Sequence, residues 1–193
     1  MWWPDLRAFR LSNRRFIRFA AVLAIAGLTA GCSFQPLYGD RTGPTGENTI
    51  VAAMRSVDVA ELKTPRGTRI DRVGVALRND IIFALTGGAE RPVPTHRLAI
   101  SLTSSQQQII VDIQSGRPDI QNYTLYATYT LTDLATGKLV VNSSIFAPVS
   151  YDIPGQQQRF AGERGLRDAE NRAAQVIAEN IRNRLASYFI AGT

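Results

Sequence analysis

One side chain in this 193-residue chain is placed for covalent chemistry. Cys32 is the only cysteine, and it closes Leu28-Thr29-Ala30-Gly31-Cys32 at the end of a short apolar run. Arg7, Arg10, Arg14, Arg15 and Arg18 precede that run, and the small residues Ala30 and Gly31 stand just before the thiol. A basic stretch, an apolar stretch and small residues in this order make a secretory signal. A cysteine at the cleavage point turns it into a bacterial lipoprotein signal. The thiol would take a thioether-linked diacylglycerol, and cleavage before Cys32 would free its amine for a third acyl chain, palmitate being typical. Thr29 departs from the usual leucine at its position. Residues 19–29 rise only about 16 Å as a helix, too little to span a bilayer. The competing readings are an ordinary secretory signal with a free thiol, and a twin-arginine route through Arg14-Arg15 that the following residues fit poorly. Ser33, rather than aspartate, follows the cysteine, which points to the periplasmic side of the outer membrane.

Other chemistry is sparse. His96 is the single histidine, at the start of a predicted strand, and no metal cluster, Walker loop, G-x-S-x-G elbow or Ser/His/Asp set is present. Asp112 and Asp119 flank a predicted hairpin tip, and the triplets Gln106-Gln107-Gln108 and Gln156-Gln157-Gln158 suggest no mechanism. An enzyme is therefore not expected, and neither cofactor nor metal. The net charge of +6 looks basic, but the segment before Cys32 carries five arginines against Asp5, leaving 17 basic and 15 acidic residues. Nucleic-acid binding loses its main support.

The expected organisation is a signal peptide over residues 1–31, a lipidated tether over 32–49 and one domain over 50–193. The tether is rich in turn formers (Pro36, Gly39, Gly43, Pro44, Gly46), although Phe34, Leu37 and Tyr38 are more apolar than a linker needs. Residues 50–62 are β-branched, with Val57 and Val59 alternating against Ser56 and Asp58, and predict a strand. Thr68 and Asp71 form a capping pair for a helix with Ile70, Val73, Leu77, Ile81, Ala84 and Leu85 on one face, closed by Gly87-Gly88. Its polar face holds Arg69, Arg72, Arg78, Asn79 and Asp80.

Three strands follow. Leu98, Ile100 and Leu102 alternate with polar or small residues. Tyr123, Leu125, Ala127, Tyr129 and Leu131 alternate with a threonine-rich face interrupted by Tyr126. Leu139, Val141, Ile145, Ala147 and Val149 alternate more loosely. Ser115-Gly116 and residues 133–137 supply the turns. One apolar and one threonine-rich face predict a sheet covered on one side. A last helix of about 25 residues carries a stripe of Leu166, Ala169, Ala173, Ile177, Ile181 and Leu185, with Glu163–Arg167 and Asp168–Arg172 as i,i+4 pairs. The predicted class is α+β, two helices on one face of a four-stranded, largely antiparallel sheet, in the order β-α-β-β-β-α.

This order, with Leu-Thr-Ala-Gly-Cys-Ser-Phe-Gln-Pro-Leu-Tyr-Gly at residues 28–39, resembles the lipopolysaccharide-assembly lipoprotein family LptE, most of all its alphaproteobacterial branch. Further echoes are Leu77-Arg78-Asn79, Tyr123-Thr124-Leu125, Tyr129-Thr130-Leu131-Thr132-Asp133 and Asn171-Arg172-Ala173-Ala174. The resemblance implies a lipid-anchored protein that plugs the LptD β-barrel, assists its assembly and helps pass lipopolysaccharide to the outer leaflet. It also implies basic contacts to lipopolysaccharide. With a right-handed crossover, Arg117 at the second hairpin tip and Arg159 after the fourth strand fall at one end of the sheet, with Arg164 nearby. Guanidinium groups chelate phosphate, so these three are the expected contacts to lipid A. Two other classes remain open: an auxiliary lipoprotein of an ABC-type intermembrane lipid-transport system, and an envelope hydrolase.

Overall fold

The computed structural model describes residues 49–109, 120–153 and 159–191. The signal with Cys32, the tether, Asp112, Ser115-Gly116, Arg117, Asp119, the triplet at 156–158 and the Arg159 side chain lie outside them.

The first element corrects the predicted strand over 50–62. Helix α1 spans Thr49–Arg55, and only the three residues Val57–Val59 form strand β1. Ala52 and Ala53 favour a helix here, and Ile50 and Met54, four apart, bury one face of that turn against the two longer helices. The observed order is α1-β1-α2-β2-β3-β4-α3, with α2 over Arg69–Thr86, β2 over His96–Ile109, β3 over Ile120–Asp133, β4 over Leu139–Asp152 and α3 over Arg159–Ala191.

Helix α2 begins and ends as its residues dictate. The Thr68 side chain accepts from Asp71 N, and Gly87, at φ 62°, donates to Phe83 O in a left-handed cap. The Asp71 carboxylate turns away from the cap itself. It takes the Thr64 hydroxyl at 2.7 Å and Gly67 N at 3.0 Å, stitching the approach loop to the first turn. Those two bonds, Thr64 first, hold its pKa below the ordinary value.

The sheet order is β1-β2-β3-β4, with β1 parallel to β2 and the other pairs antiparallel. Asp133 closes the β3–β4 turn by accepting from Ala135 N at 2.8 Å, a bond that also lowers its pKa. Leu98, Leu125, Leu131, Val141 and Ala147 face α2 and α3, whose Val73, Leu77, Ile81, Leu166, Ala169, Ile177, Ile181 and Leu185 complete the core. Alanines 169, 173, 174, 178 and 186 are buried on α3 and let it lie close. The helix is 33 residues long, longer than predicted, running from Arg159 to Ala191.

Candidate functional site

The two long helices run side by side in the same direction. Arg69 meets Glu163, and Arg72 meets Glu170 and Asn171, so residues near both helix starts come together. That meeting lies at the end of the sheet where β2 stops and β3 begins. Ile109 pairs with Ile120, and Ile120 with Asp152. A Cβ on Gly165 would sit 3.3 Å from Asp152 O, which places the first turns of α3 against the same strand ends. We call this the distal end; His96, Asp133 and Leu139 mark the proximal one. Parallel helices bring two positive dipole ends together. Asp71 and Glu163, near those two ends, supply compensating charge.

The innermost part is a buried ion pair. Glu170 is 3% exposed, and its carboxylate accepts from Arg72, whose second nitrogen donates to Asn171 Oδ1 at 3.1 Å. Tyr123, 1% exposed, has its hydroxyl in the same polar layer, and burial pushes its pKa up. Above this layer a groove of about 570 Å³ opens to solvent, lined by Arg69, Arg72, Phe160, Glu163, Arg164, Leu166, Arg167 and Glu170. Arg69 Nη2 donates to Glu163 Oε2 at 2.9 Å and Oε1 at 3.1 Å. This corrects the expected Glu163–Arg167 pair. The facing helix offers Glu163 a closer cation, and an i,i+4 pair contributes only a few tenths of a kcal/mol. Asp168–Arg172 forms as expected, at 2.7 Å.

Of the predicted contacts, Arg164 is exposed and lines the groove. Arg159 opens α3 at the distal end. Arg117 lies outside the described residues, in the sequence between Ile109 and Ile120. The sequence puts Arg69 and Arg72 on a polar helix face and Arg167 in an ion pair but assigns none of them to a site, and it singles out neither Glu170 nor Phe160. Glu170 did leave a signal, as a lone carboxylate beside Ala169 on an otherwise apolar stripe. His96 is packed rather than exposed for chemistry: its ring sits edge-on to Phe189 at 5.2 Å, and Nδ1 lies 2.8 Å from Thr95 Oγ1.

The sheet face opposite the helices forms the second distinctive surface. Ser101, Thr128 and Ser144 share one row, Thr103, Tyr126 and Phe146 the next, and Ser105, Thr124 and Pro148 a third. None of them is charged. Tyr126 and Phe146 are 44% and 62% exposed, with ring centroids 6.1 Å apart.

Among the described residues no group of His, Cys, Asp and Glu could hold a metal, and no helix is long and apolar enough to cross a membrane. No curated protein sequence matches the chain. Its fold is similar to that of a predicted lipoprotein from Caulobacter crescentus, with TM-score 0.57 and 18% identity over 75% of this chain and 97% of that one. A minor lipoprotein from Acinetobacter baumannii is more distant, with TM-score 0.47 and 12% identity over 69% and 92%. Residues 54–185, about two-thirds of the chain, match the LptE family model, described as lipopolysaccharide-assembly. The chain belongs to the LptE family, non-enzymatic lipoproteins of the bacterial envelope that act in lipopolysaccharide assembly.

Proposed function

We propose that this protein is an outer-membrane lipoprotein, acylated at Cys32 and facing the periplasm, that plugs the LptD β-barrel and assists its assembly. In that position it helps deliver lipopolysaccharide to the outer leaflet, and Arg117, Arg159 and Arg164 contact the lipid A phosphates. The observation that carries this reading is the separation of two surfaces on one body. A hydroxyl-rich sheet face, uncharged across its three middle rows, suits the polar lumen of a barrel, and Arg69, Arg72, Arg164 and Arg167 line a groove at the distal end. Membership of the LptE family supports the same reading and lends nothing to the ABC-associated alternative.

The lipidated protein, purified from envelopes, should bring down a large β-barrel. Recovery of inner-membrane ABC components alone would sink the proposal. Depletion should leave lipopolysaccharide in the inner membrane and off the cell surface; altered phospholipid asymmetry with normal lipopolysaccharide would favour the alternative. Arg117→Asp combined with Arg159→Asp should weaken lipopolysaccharide binding and leave barrel association intact.

A further inference from the structure

We infer that the groove between α2 and α3 binds an anionic amphiphile headed by a phosphate monoester, and that Glu163 sits where the phosphate would bind. The ligand class and Arg164 come from the function proposed above; Arg69, Arg167, Phe160 and Glu163 are what this inference adds.

Phe160, Arg164 and Arg167 stand at i, i+4 and i+7 on α3 and form one stripe along the groove. Neither Arg164 nor Arg167 makes an ion pair or hydrogen bond with another described residue. On the facing wall the two α2 arginines differ. Arg72 is committed to buried Glu170 and to Asn171, and is part of the wall. Arg69 holds only Glu163, through one nitrogen, in a pair whose side chains are 56% and 66% exposed. Such a pair is weak and exchangeable. Three guanidiniums (Arg69, Arg164, Arg167) thus face one carboxylate, an excess of two positive charges. A phosphate monoester carries about −1.5 to −2 at neutral pH and has three acceptor oxygens, a match in both charge and donor geometry. Phe160, 86% exposed at the mouth, leaves an aromatic face uncovered that the first methylenes of an acyl chain would shield. At about 570 Å³ the groove holds a headgroup and leaves the chains outside.

The test uses the full lipidated protein in detergent and three probes: phosphorylated lipid A, the same lipid dephosphorylated, and inorganic phosphate. Phe160, Glu163, Arg164 and Arg167 are exposed, and thermal melts would verify folding. Phosphorylated lipid A should bind best. Arg164→Gln with Arg167→Gln should weaken it by about tenfold or more, the scale of two lost charge-assisted contacts. Glu163→Gln should tighten it about threefold, because the resident anion is gone. Phe160→Ser should weaken lipid binding without changing that of inorganic phosphate. Equal affinity for phosphorylated and dephosphorylated lipid, or an unchanged affinity in the double variant, would overturn the site. So would weaker binding in Glu163→Gln. Loss of binding only in the Arg117/Arg159 double variant would move the contact to the hairpin tip and overturn the groove while the proposed function stands. Failure to recover a barrel would defeat the proposed function and leave the groove measurements intact.

Discussion

The proximal and distal halves of the helix–sheet layer are built from the same elements on different principles. Proximally, Leu77, Ile81, Leu98, Leu131, Ile177, Ile181 and Leu185 are essentially inaccessible and dominate the interface. Distally, the same two helices meet through Arg69–Glu163 and Arg72–Glu170, and Tyr151 donates to Gln121 beneath them. The reason is geometric. Fourteen-residue strands run about 46 Å, whereas the 18 residues of α2 rise about 27 Å, so α2 starts short of the sheet's distal end. The far half of β2 is exposed on both faces, and its Gln106, Gln107 and Gln108 belong there as solvated residues. A layer that runs out of cover cannot finish its core with leucine. It finishes with arginine and glutamate, and that is where a charged ligand can be met.

The largest effect should come from the proximal side. Leu77→Ala removes a fully buried side chain from a well-packed layer and should cost about 3–4 kcal/mol, read as a lower denaturation midpoint. Arg72→Ala should come close, at about 3 kcal/mol, because it strands the Glu170 carboxylate in the interior. The comparison sharpens with the double replacement Arg72→Met, Glu170→Met, which removes both charges and should recover most of that loss. If the double variant were as unstable as the single one, the distal layer would be packing-limited like the proximal one.

A smaller effect separates two glycines of α3. A Cβ at Gly165 would press on Asp152 O and Tyr151 Cδ2, both at 3.3 Å, and backbone cannot give way cheaply. Gly165→Ala should therefore be destabilising by about 1 kcal/mol despite alanine's better helix propensity. Gly162→Ala meets only Ile153 Cγ2 at 3.9 Å and should be stabilising by about 0.5 kcal/mol. Thermal melts of the pair should shift in opposite directions.

The smallest effect is on acid stability. Asp71 and Asp133 both have folded pKa values below their unfolded ones, through bonds from Thr64 and Ala135 N respectively. Each therefore contributes stability that is complete above about pH 4 and is lost as pH falls through the lowered folded value. Asp71→Asn should flatten the dependence of stability on pH below about 4 and leave it unchanged at neutral pH apart from a constant offset. An unaltered acid slope would show that the Thr64–Asp71–Gly67 stitch is not formed in solution.

Local chemistry and period made much of this fold legible before any coordinates. Thr68 and Gly87 bound α2 because caps satisfy backbone groups within one turn of the chain. Tyr123 to Leu131 announces β3, since side chains two apart must share a face. The helix at Thr49–Arg55 was hidden by β-branched residues, although the Ile50 and Met54 spacing was there to be read. Arg164 was found among the candidate residues, but the groove around it was not, because its other wall comes from residues some hundred positions away.

The sequence by itself determined the lipidation signal as an expectation, the alternating strands, the helix caps and the apolar stripes. Each of these depends on neighbours within a few residues. Only the tertiary structure decided that α2 and α3 run parallel with their starts together, and that Glu163 turns to Arg69 instead of Arg167. Only there does it emerge that Glu170 is the buried partner of Arg72. Those outcomes follow from which charges lie closest across a helix interface, and that distance is set by the lengths of all the elements at once.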